Sequence, residues 1–198
     1  MLKLIFATKN NGKVVEVSSL LKDSGIQIVS LLGLGNGLNI VESGLTFEEN
    51  AKIKAEAVYG AFRVPVIADD SGLSVDQLDG KPGVYSARYA GDYATDQDNN
   101  RKLLFELSGM PEPHKARFIC SAVYYDGKNF IGTRGEVNGR IIKHARGSNG
   151  FGYDPLFMPD GYDVTSAELS MEEKNKISHR AIAFRQLGNL IIKSSEKI

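Results

Sequence analysis

The sequence has few of the residues that build covalent or metal cross-links. Among its 198 residues there is one cysteine, Cys120, which excludes an internal disulfide framework and a cysteine-rich zinc site. The three histidines form no His-x-x-x-His pair, so zinc is not expected either. Cys120 lies in the apolar, strand-like run 118–123, and we therefore expect a buried structural thiol and not a nucleophile.

An excess of one charge and a long hydrophobic run are also missing. The 24 Lys and Arg residues balance 24 Asp and Glu residues, whereas proteins that coat nucleic acid or membranes usually carry a basic excess. No segment approaches the roughly 18 apolar residues of a membrane span, and the first residues lack the pattern of a signal peptide. The sequence therefore predicts a cytoplasmic protein that binds neither nucleic acid nor a membrane.

Two common catalytic signatures are absent as well. The P-loop spacing G-x-x-x-x-G-K-[ST] and the serine-hydrolase elbow G-x-S-x-G do not occur. The chain is 42% hydrophobic, which is close to the globular norm, and its length allows roughly 70% of the unfolded surface to be buried. No repeat or linker divides it, so we expect a single domain over residues 1–198.

Helical and strand patterns alternate along the chain. Apolar spacing predicts strands at Leu2–Ala7 and Ile26–Leu31, with a helix from Lys13 to Leu21 between them. A capping box at Thr46–Glu49 begins a helix that Pro65 ends. The remaining predictions are a loop Gly33–Gly44, a strand Pro65–Asp69 ending in a turn Asp69–Gly72, a helix Asp96–Leu107, a hairpin of Arg117–Tyr125 and Asn129–Glu136, and helices after Ser170 and Ser178. This order is typical of a mixed α/β fold.

The first candidate site is the turn between the first strand and the first helix. Free amides at a helix start bind anions, and a lysine in the first turn adds a positive charge for phosphate. The segment consists of Thr8, Lys9, Asn10, Asn11, Gly12 and Lys13. Any α/β protein needs a turn of this composition between a strand and a helix, so both interpretations stay open.

A second candidate is the acidic pair Asp69-Asp70. Because side chains alternate along a strand, the two carboxylates should point apart, one bracing the turn and one projecting from the strand's carboxyl end. A carboxylate there suits Mg²⁺ or an activated water, and an ordinary Asx turn is the alternative. Glu42 is a further free carboxylate in a glycine-rich loop. Lys54 shares a helical stripe with Asn50, and an exposed surface lysine is its simpler explanation.

The third candidate is the loop Gly147–Pro155, in which glycines flank two aromatic residues. Phe151 and Tyr153 would allow a planar ligand to stack, and Asp154 could accept a proton-bearing edge of that ligand. Simple corner loops have the same composition, so that alternative also stays open. A fourth candidate, Ser178-His179-Arg180, offers donors at a helix start, which suits an acceptor atom or a phosphate.

Taken together, these segments resemble the inosine/xanthosine triphosphate pyrophosphatase family. Each motif is weak alone, but they occur in colinear order over nearly the whole chain. The motifs are Thr8-x-Asn10-x-x-Lys13, Glu42 ahead of Gly44-Leu45-Thr46-Phe47-x-x-Asn50-Ala51, Ala68-Asp69-Asp70-Ser71-Gly72-Leu73, Pro82-Gly83-Val84-Tyr85-Ser86-Ala87-Arg88-Tyr89, Gly150-Phe151-Gly152-Tyr153-Asp154-Pro155 and Glu173-Lys174-x-x-x-Ser178-His179-Arg180.

The resemblance implies an α/β fold with an elongated mixed β-sheet flanked by helices, two lobes around a central active-site cleft, and a homodimer. It implies Mg²⁺-dependent hydrolysis of ITP, dITP and XTP to the monophosphate and pyrophosphate. Residues 8–13 would bind phosphates, Lys54 would contact the substrate, and Glu42 with Asp70 would hold the metal. Asp70 would also accept a proton from the attacking water, with Ser71 contacting the substrate. The nucleoside end would be shaped by Phe151, Gly152, Tyr153, Asp154, Lys174, His179 and Arg180.

Selection of the base requires that a keto oxygen be recognised and an amine rejected. Hypoxanthine and xanthine offer an O6 acceptor and an N1–H donor, whereas adenine offers the reverse. Arg180 donating to O6, with the Asp154 carboxylate nearby, would leave the adenine amine facing a donor.

Two other functions stay open at this stage. One is a pyrophosphatase for other modified nucleotides, such as methylated pyrimidines. The other is a non-catalytic nucleotide-binding sensor, against which the pair Glu42 and Asp70 speaks, because binding alone needs no metal-and-water site.

Overall fold

The computed structural model describes residues 2–34 and 38–195, and it shows the mixed α/β fold predicted from the sequence. Strands and helices alternate in the first half, and two long strands follow one another in the second. The strands are β1 (Leu2–Phe6), β2 (Ile26–Ser30), β3 (Val66–Val75), β4 (His114–Tyr125), β5 (Phe130–Ile141) and β6 (Phe157–Pro159). The helices are α1 (Asn11–Leu21), α2 (Phe47–Phe62), α3 (Asp96–Leu107), α4 (Met171–Ile177) and α5 (His179–Ser195).

The strands form one six-stranded sheet in the order β2-β1-β3-β4-β5-β6. Strand β1 pairs in parallel with both β2 and β3, whereas β5 and β6 are antiparallel. The connection between β4 and β5 is the predicted turn at Asp126-Gly127, where Asp126 Oδ1 accepts the amides of Lys128 and Asn129. The sheet is therefore mixed, as expected.

The chain divides into two compact units, which we call unit 1 and unit 2. Unit 1 takes residues 1–70, 120–135 and 179–198, as far as the structure describes them. Its sheet strands are covered by α1 and α5, whose apolar faces meet in one core cluster. A second cluster gathers around α2. The predicted inner face of the last helix is confirmed, because Ala181, Phe184, Leu187 and Ile191 are all buried.

Unit 2 takes residues 71–119 and 136–178, and it has a hydrophobic core of its own. Helix α3 contributes Leu103 and Leu107 to that core. The α3 bounds agree with the prediction, and the helix begins with a capping box between Thr95 and Asp98. Strands β3, β4 and β5 have residues in both units, so the boundary between the units crosses these strands.

The largest error of the sequence prediction concerns β3. The acidic turn expected at Asp69–Gly72 is wrong, because the strand continues through these residues to Val75. Leu73 and Val75 are fully buried in unit 2, which favours an extended backbone over a turn. Asp69 and Asp70 therefore lie in the middle of a strand. The predictions that they form an Asx turn or stand at the carboxyl end of the strand are both wrong.

Smaller differences concern element ends. Helix α1 begins at Asn11 and not at Lys13, because Asn10 caps it. Both hairpin strands are longer than predicted, and the loop expected at Gly33–Gly44 begins within a short 3-10 helix, Leu31–Leu34. Residues 35–37 of that loop lie outside the described residues. The predicted capping boxes at Thr46 and Ser170 are confirmed.

Two further predictions concern the single cysteine and the lack of a membrane-spanning segment. Cys120 is fully buried, which confirms the structural thiol. Burial raises the pKa of the Cys120 thiol, so it stays protonated near neutral pH. In the described ranges 2–34 and 38–195, no helix combines the length and apolar character needed to cross a membrane.

Candidate active site

Strand β3 presents two adjacent carboxylates to opposite sides within unit 1. On one side, Lys13 Nζ lies 2.9 Å from Asp69 Oδ2. On the other side, Asn50 Nδ2 donates to Asp70 Oδ2 at 3.1 Å. The predicted divergence of the two side chains is confirmed, and it follows from the period of two along a strand.

The Asp69 side holds a buried chain of alternating charges. Arg180 lies 3.5 Å from Asp69 through Nε and 2.5 Å from Glu16 through Nη1. Burial alone would raise the pKa of the Asp69 carboxyl, but Lys13, Arg180 and Lys54 outweigh it and hold that pKa well below its usual range. The pKa of Arg180 is raised above its ordinary value, because Glu16 and Asp69 outweigh its burial. Asp69 is therefore an ionised group fixed between cations.

The Asp70 side holds a different arrangement, in which one lysine faces two carboxylates. Lys54 Nζ lies 3.0 Å from Glu42 Oε2 and 3.4 Å from Asp70 Oδ1. Lys54 is only 8% exposed, so its interpretation as an ordinary surface lysine is wrong. Burial would lower the pKa of Lys54, but Asp70, Asp69 and Glu42 outweigh it and raise that pKa. The Asp70 pKa is raised by burial, which outweighs the attraction of Lys54 and Lys13.

The residues on this side have the donor chemistry of a Mg²⁺ site. Glu42 and Asp70 bring two carboxylates to one ammonium group, so their oxygens already converge on a positive charge. Within residues 2–34 and 38–195, no group of three or more His, Cys, Asp or Glu side chains could hold a metal ion. Mg²⁺ is usually bound by one or two carboxylates and completes its shell with water and substrate phosphates. Two carboxylates are within the number of protein ligands that such an ion takes.

The strand-to-helix turn before α1 is built as a capped helix start. Asn10 Oδ1 accepts the Lys13 amide at 3.0 Å, and the Asn10 amide donates to Thr8 Oγ1 at 3.1 Å. Lys9, Asn10 and Asn11 are exposed, and the first turn of α1 contains no acidic residue. The turn thus serves the fold and leaves a positive helix end open to an anion, so both predicted interpretations are compatible with it.

In unit 2, a second buried ion pair lies below the aromatic loop. Lys174 Nζ is 2.6 Å from Asp154 Oδ2, and both residues are buried. The Phe151 amide donates to the same Asp154 oxygen at 2.9 Å, and Lys174 Nζ lies 5.1 Å from the Phe151 ring centroid. A Cβ at Gly150 would lie 2.1 Å from Asp154 Oδ2, so only glycine allows the loop to approach the pair this closely. Charge, acceptor and ring are thereby held in one small region.

The two aromatic residues of this loop have different environments. Tyr153 is 4% exposed, packs in the unit 2 core and donates its hydroxyl to Ser86 O at 2.8 Å. The expectation that both rings are open to a planar ligand is therefore wrong for Tyr153, whose ring fills the core. Phe151 is partly exposed. It is the ring of this pair on which a ligand can stack.

The predicted residues of the nucleoside end are divided between the units. Residues 151–154 and Lys174 belong to unit 2, whereas His179 and Arg180 belong to unit 1. His179 is 6% exposed and Arg180 is 1% exposed. Ser71 is half-buried on β3, in the residue range of unit 2. The substrate contacts assigned to these residues by family resemblance stay predictions.

Four side chains support these clusters through contacts that the sequence did not predict. In unit 1 they are Asn50 and Glu16, described above. In unit 2, Asp96 Oδ2 accepts the Gly152 amide at 2.7 Å, and Asn100 Nδ2 donates to the Gly152 carbonyl at 3.0 Å. Asp96 and Asn100 share one face of α3 through their i, i+4 spacing, but no local pattern connects them to a loop so far along the chain.

The protein thus combines, in one α/β fold, a capped helix start open to an anion, a strand with two adjacent carboxylates and a buried ion pair beside a glycine-rich loop. The chain belongs to the Ham1 family, whose profile matches residues 4–190. This match covers all of the clusters described above.

Individual relatives agree with this assignment. The dITP/XTP pyrophosphatase of Bacillus licheniformis is 51% identical over 193 residues, which make up 96% of this chain and 98% of that protein. The dITP/XTP pyrophosphatase of Bacillus subtilis is 50% identical over the same shares of the two chains.

Solved structures show the same fold. The Staphylococcus aureus Ham1 protein superposes with a TM-score of 0.85 at 38% identity, covering 97% of this chain and 99% of that one. A HAM1 protein from Coxiella burnetii gives a TM-score of 0.87 at 36% identity, covering 98% and 100%. The mixed sheet flanked by helices is therefore the fold of this family.

Proposed function

We propose that this protein hydrolyses non-standard purine nucleoside triphosphates, namely dITP, ITP and XTP, to the monophosphate and pyrophosphate. The observation that carries the proposal is the group formed by Glu42, Lys54 and Asp70, in which two carboxylates face one cation. The names of relatives at 50–51% identity over nearly the full chain support the substrate class.

We assign Mg²⁺ to Glu42 and Asp70. The ion, when bound, supplies positive charge that neutralises the triphosphate and polarises its phosphoryl oxygens. The chain adds its own positive charge through the exposed Lys9 and the helix start at residues 8–13, which together bind the phosphates.

Asp70 also acts as the proton acceptor. Water attacks the α-phosphorus, the bond to the bridging oxygen breaks, and pyrophosphate leaves as the Asp70 carboxylate takes the water proton. Asn50 at Oδ2 and Lys54 at Oδ1 hold the Asp70 carboxylate in one orientation, which suits a group that must accept a proton from a water in a fixed position. Lys54, close to both Glu42 and Asp70, limits the repulsion between these two anions.

The base is recognised by residues of unit 2, with Phe151 as the stacking ring. Asp154 and Lys174 place an acceptor and a donor 2.6 Å apart, which matches the N1–H donor and O6 acceptor of hypoxanthine and xanthine. Adenine carries these groups in the reverse order, so it would place the N1 acceptor against the Asp154 carboxylate and the amine against the Lys174 ammonium group. Such mismatches at polar sites can reduce kcat/KM by about 10⁴-fold. The family resemblance also assigns Arg180 the role of a donor to the base.

A substrate panel tests this function. The purified protein is assayed with ITP, dITP, XTP, ATP, GTP and modified pyrimidine triphosphates, with Mg²⁺ and with EDTA, and the products are identified as pyrophosphate or phosphate. We expect pyrophosphate release with a preference for ITP, dITP and XTP, abolished by EDTA. A preference for ATP or a modified pyrimidine would contradict the proposed substrate class, and tight ITP binding without turnover would identify a sensor.

Two accompanying proposals are the homodimer, which rests on the family resemblance, and the cytoplasmic location, which rests on the composition of the sequence. Sedimentation velocity of the purified protein tests the first, and a monomer at micromolar concentration would contradict it.

A further inference from the structure

Asn50 is a fully buried side chain at the start of α2 whose two polar ends are both engaged. Its Nδ2 donates to Asp70 Oδ2 at 3.1 Å, and its Oδ1 accepts the Gly44 amide at 2.8 Å. The residue has 0% exposure. One neutral amide therefore connects the central carboxylate to the end of the loop that carries Glu42.

The end of that loop is held closely against α2. A Cβ at Gly44 would lie 2.7 Å from Asn50 Oδ1 and 2.7 Å from the Glu49 Cβ, so the backbone approaches the helix as only glycine allows. Glu49 Oε2 also accepts the amides of Leu45 and Thr46, at 2.7 and 3.2 Å. The chain just after Glu42 is thus fixed by the first turns of one helix.

The same helix face also holds the other oxygen of Asp70. Lys54 lies four residues after Asn50, so the two side chains stack on one side of α2. Lys54 Nζ is 3.4 Å from Asp70 Oδ1, while Asn50 is bonded to Oδ2. Both oxygens of the carboxylate are therefore oriented by α2, one by a charged group and one by a neutral group.

We infer that Asn50 is a positioning residue that fixes the orientation of the Asp70 carboxylate and, through Gly44, its spacing from Glu42; this inference rests on the proposed function of that site. A neutral amide suits this task because it donates and accepts without adding charge to the group. An aspartate here would keep an acceptor for the Gly44 amide but place an anion against Asp70 Oδ2. An alanine would remove both bonds. Residues that orient metal-binding side chains typically contribute 10–100-fold to metal affinity or activity.

Asn99 provides a matched control in unit 2. It is also a buried helical asparagine, and its Oδ1 accepts the Ala90 amide at 2.8 Å while its Nδ2 donates to the Ala87 carbonyl at 3.2 Å. The substitution Asn99→Ala therefore removes the same two kinds of bond without touching Asp70. This control measures how much the loss of a buried asparagine side chain lowers the stability of the fold, apart from any effect on Asp70.

The experiment compares Asn50→Ala, Asn50→Asp and Asn99→Ala with the wild type. Thermal unfolding reports folding, steady-state kinetics with ITP give kcat and KM, and electron paramagnetic resonance of Mn²⁺ with α,β-imido-ITP reports metal affinity without turnover. We expect both Asn50 variants to lose about 10²-fold in kcat with KM nearly unchanged, and Asn50→Ala to bind Mn²⁺ at least about 10-fold more weakly. Asn99→Ala should lower the melting temperature while keeping kcat and Mn²⁺ affinity.

Each outcome decides the inference. Wild-type kcat and Mn²⁺ affinity in a folded Asn50 variant would overturn it and leave the proposed function intact. An equal loss of kcat in Asn99→Ala would also overturn it, because the effect would then be general destabilisation. If Asn50→Ala does not fold, Asn50→Asp carries the kinetic test alone. A wild type that does not hydrolyse ITP would contradict the proposed function itself, and the inference with it.

Discussion

The two units each bury ion pairs, but they differ in how the charged groups are arranged. In unit 1, the carboxylates of Glu42 and Asp70 both lie within ion-pair distance of Lys54. In unit 2, Asp154 pairs with Lys174, whose ammonium group lies 5.1 Å from the centroid of the Phe151 ring. The first arrangement suits an added divalent cation, which carboxylate oxygens bind, whereas the second places a donor and an acceptor beside a ring, which suits a planar base.

The comparison also separates two neighbouring residues of β3. Asp69 lies between Lys13 and Arg180, whereas Asp70 shares Lys54 with Glu42. Both carboxylates are buried, but Lys13, Arg180 and Lys54 outweigh burial and lower the pKa of Asp69, whereas burial and the Glu42 anion outweigh Lys54 and Lys13 and raise the pKa of Asp70. The variants below test this separation, in order of decreasing expected effect.

The largest effect is expected for Asp70→Asn. Removing the charge and the proton acceptor should reduce kcat for ITP by about 10³-fold or more, because both assigned roles are lost together. Circular dichroism should show an unchanged fold, since the amide keeps the shape of the side chain. The exposed pair Asp76–Arg117 offers a control, and Asp76→Asn should leave kcat unaltered. Near-normal turnover by Asp70→Asn would exclude Asp70 from both roles.

For Asp69→Asn we expect a loss of stability in place of a specific loss of chemistry. The substitution removes the buried anion that pairs with Lys13 and Arg180, and this should lower the free energy of unfolding by about 3 kcal/mol at pH 7. Chemical denaturation of the variant and the wild type measures this difference. A change in the free energy of unfolding close to zero would contradict a stabilising role of Asp69.

The same variant has a defined pH dependence. The folded-state pKa of Asp69 lies below its unfolded value, so its contribution is fully present above pH of about 4 and is lost as the pH falls towards the folded pKa. The difference in stability between wild type and Asp69→Asn should therefore shrink on acidification. A difference that grows towards low pH would contradict the assigned direction of the shift.

Asp154→Asn should alter the choice of base more than the rate of hydrolysis. The amide keeps the size of the carboxylate but adds a donor, so adenine is no longer opposed by a fixed acceptor. We expect the ratio of kcat/KM for ITP over ATP to fall by about 10²-fold. Competition assays with both nucleotides in one reaction measure the ratio directly, and an unchanged ratio would exclude Asp154 from base selection.

The smallest effect is expected for the side chains that hold Gly152. Asp96→Ala or Asn100→Ala removes one hydrogen bond to the loop backbone, each worth about 1 kcal/mol, so KM for ITP should rise by several-fold with little change in kcat. A drop in kcat with unchanged KM would show that the loop serves the chemical step instead. The i, i+3 partner pair Arg101–Asp98 on the same helix provides a surface control through Arg101→Ala.

Much of the fold could be predicted because its signals are local. The bounds of α3 and the capping boxes at Thr46 and Ser170 follow from residues a few positions apart. The alternation of Asp69 and Asp70 follows from strand geometry alone. These features need no knowledge of distant parts of the chain.

The errors arise where a distant partner decides the outcome. The sequence around Asp69–Gly72 is typical of a turn, but the strand continues because its neighbours on both sides are buried in cores formed by other segments. Tyr153 is typical of a ligand-binding ring in its glycine-rich context, yet its hydroxyl bonds to Ser86, far earlier in the chain. The roles of Asn50 and Glu16 are hidden for the same reason, because their partners are Asp70 and Arg180.

The most direct test of the account compares the ratio of kcat/KM for ITP over ATP in the wild type, Asp70→Glu and Asp154→Asn. Asp70→Glu moves the carboxylate by one methylene and keeps a measurable rate. If Asp70 serves hydrolysis and Asp154 serves the choice of base, Asp70→Glu lowers both rates and leaves the ratio unchanged, whereas Asp154→Asn collapses the ratio. A ratio that collapses in Asp70→Glu, or that survives in Asp154→Asn, would contradict this division of roles.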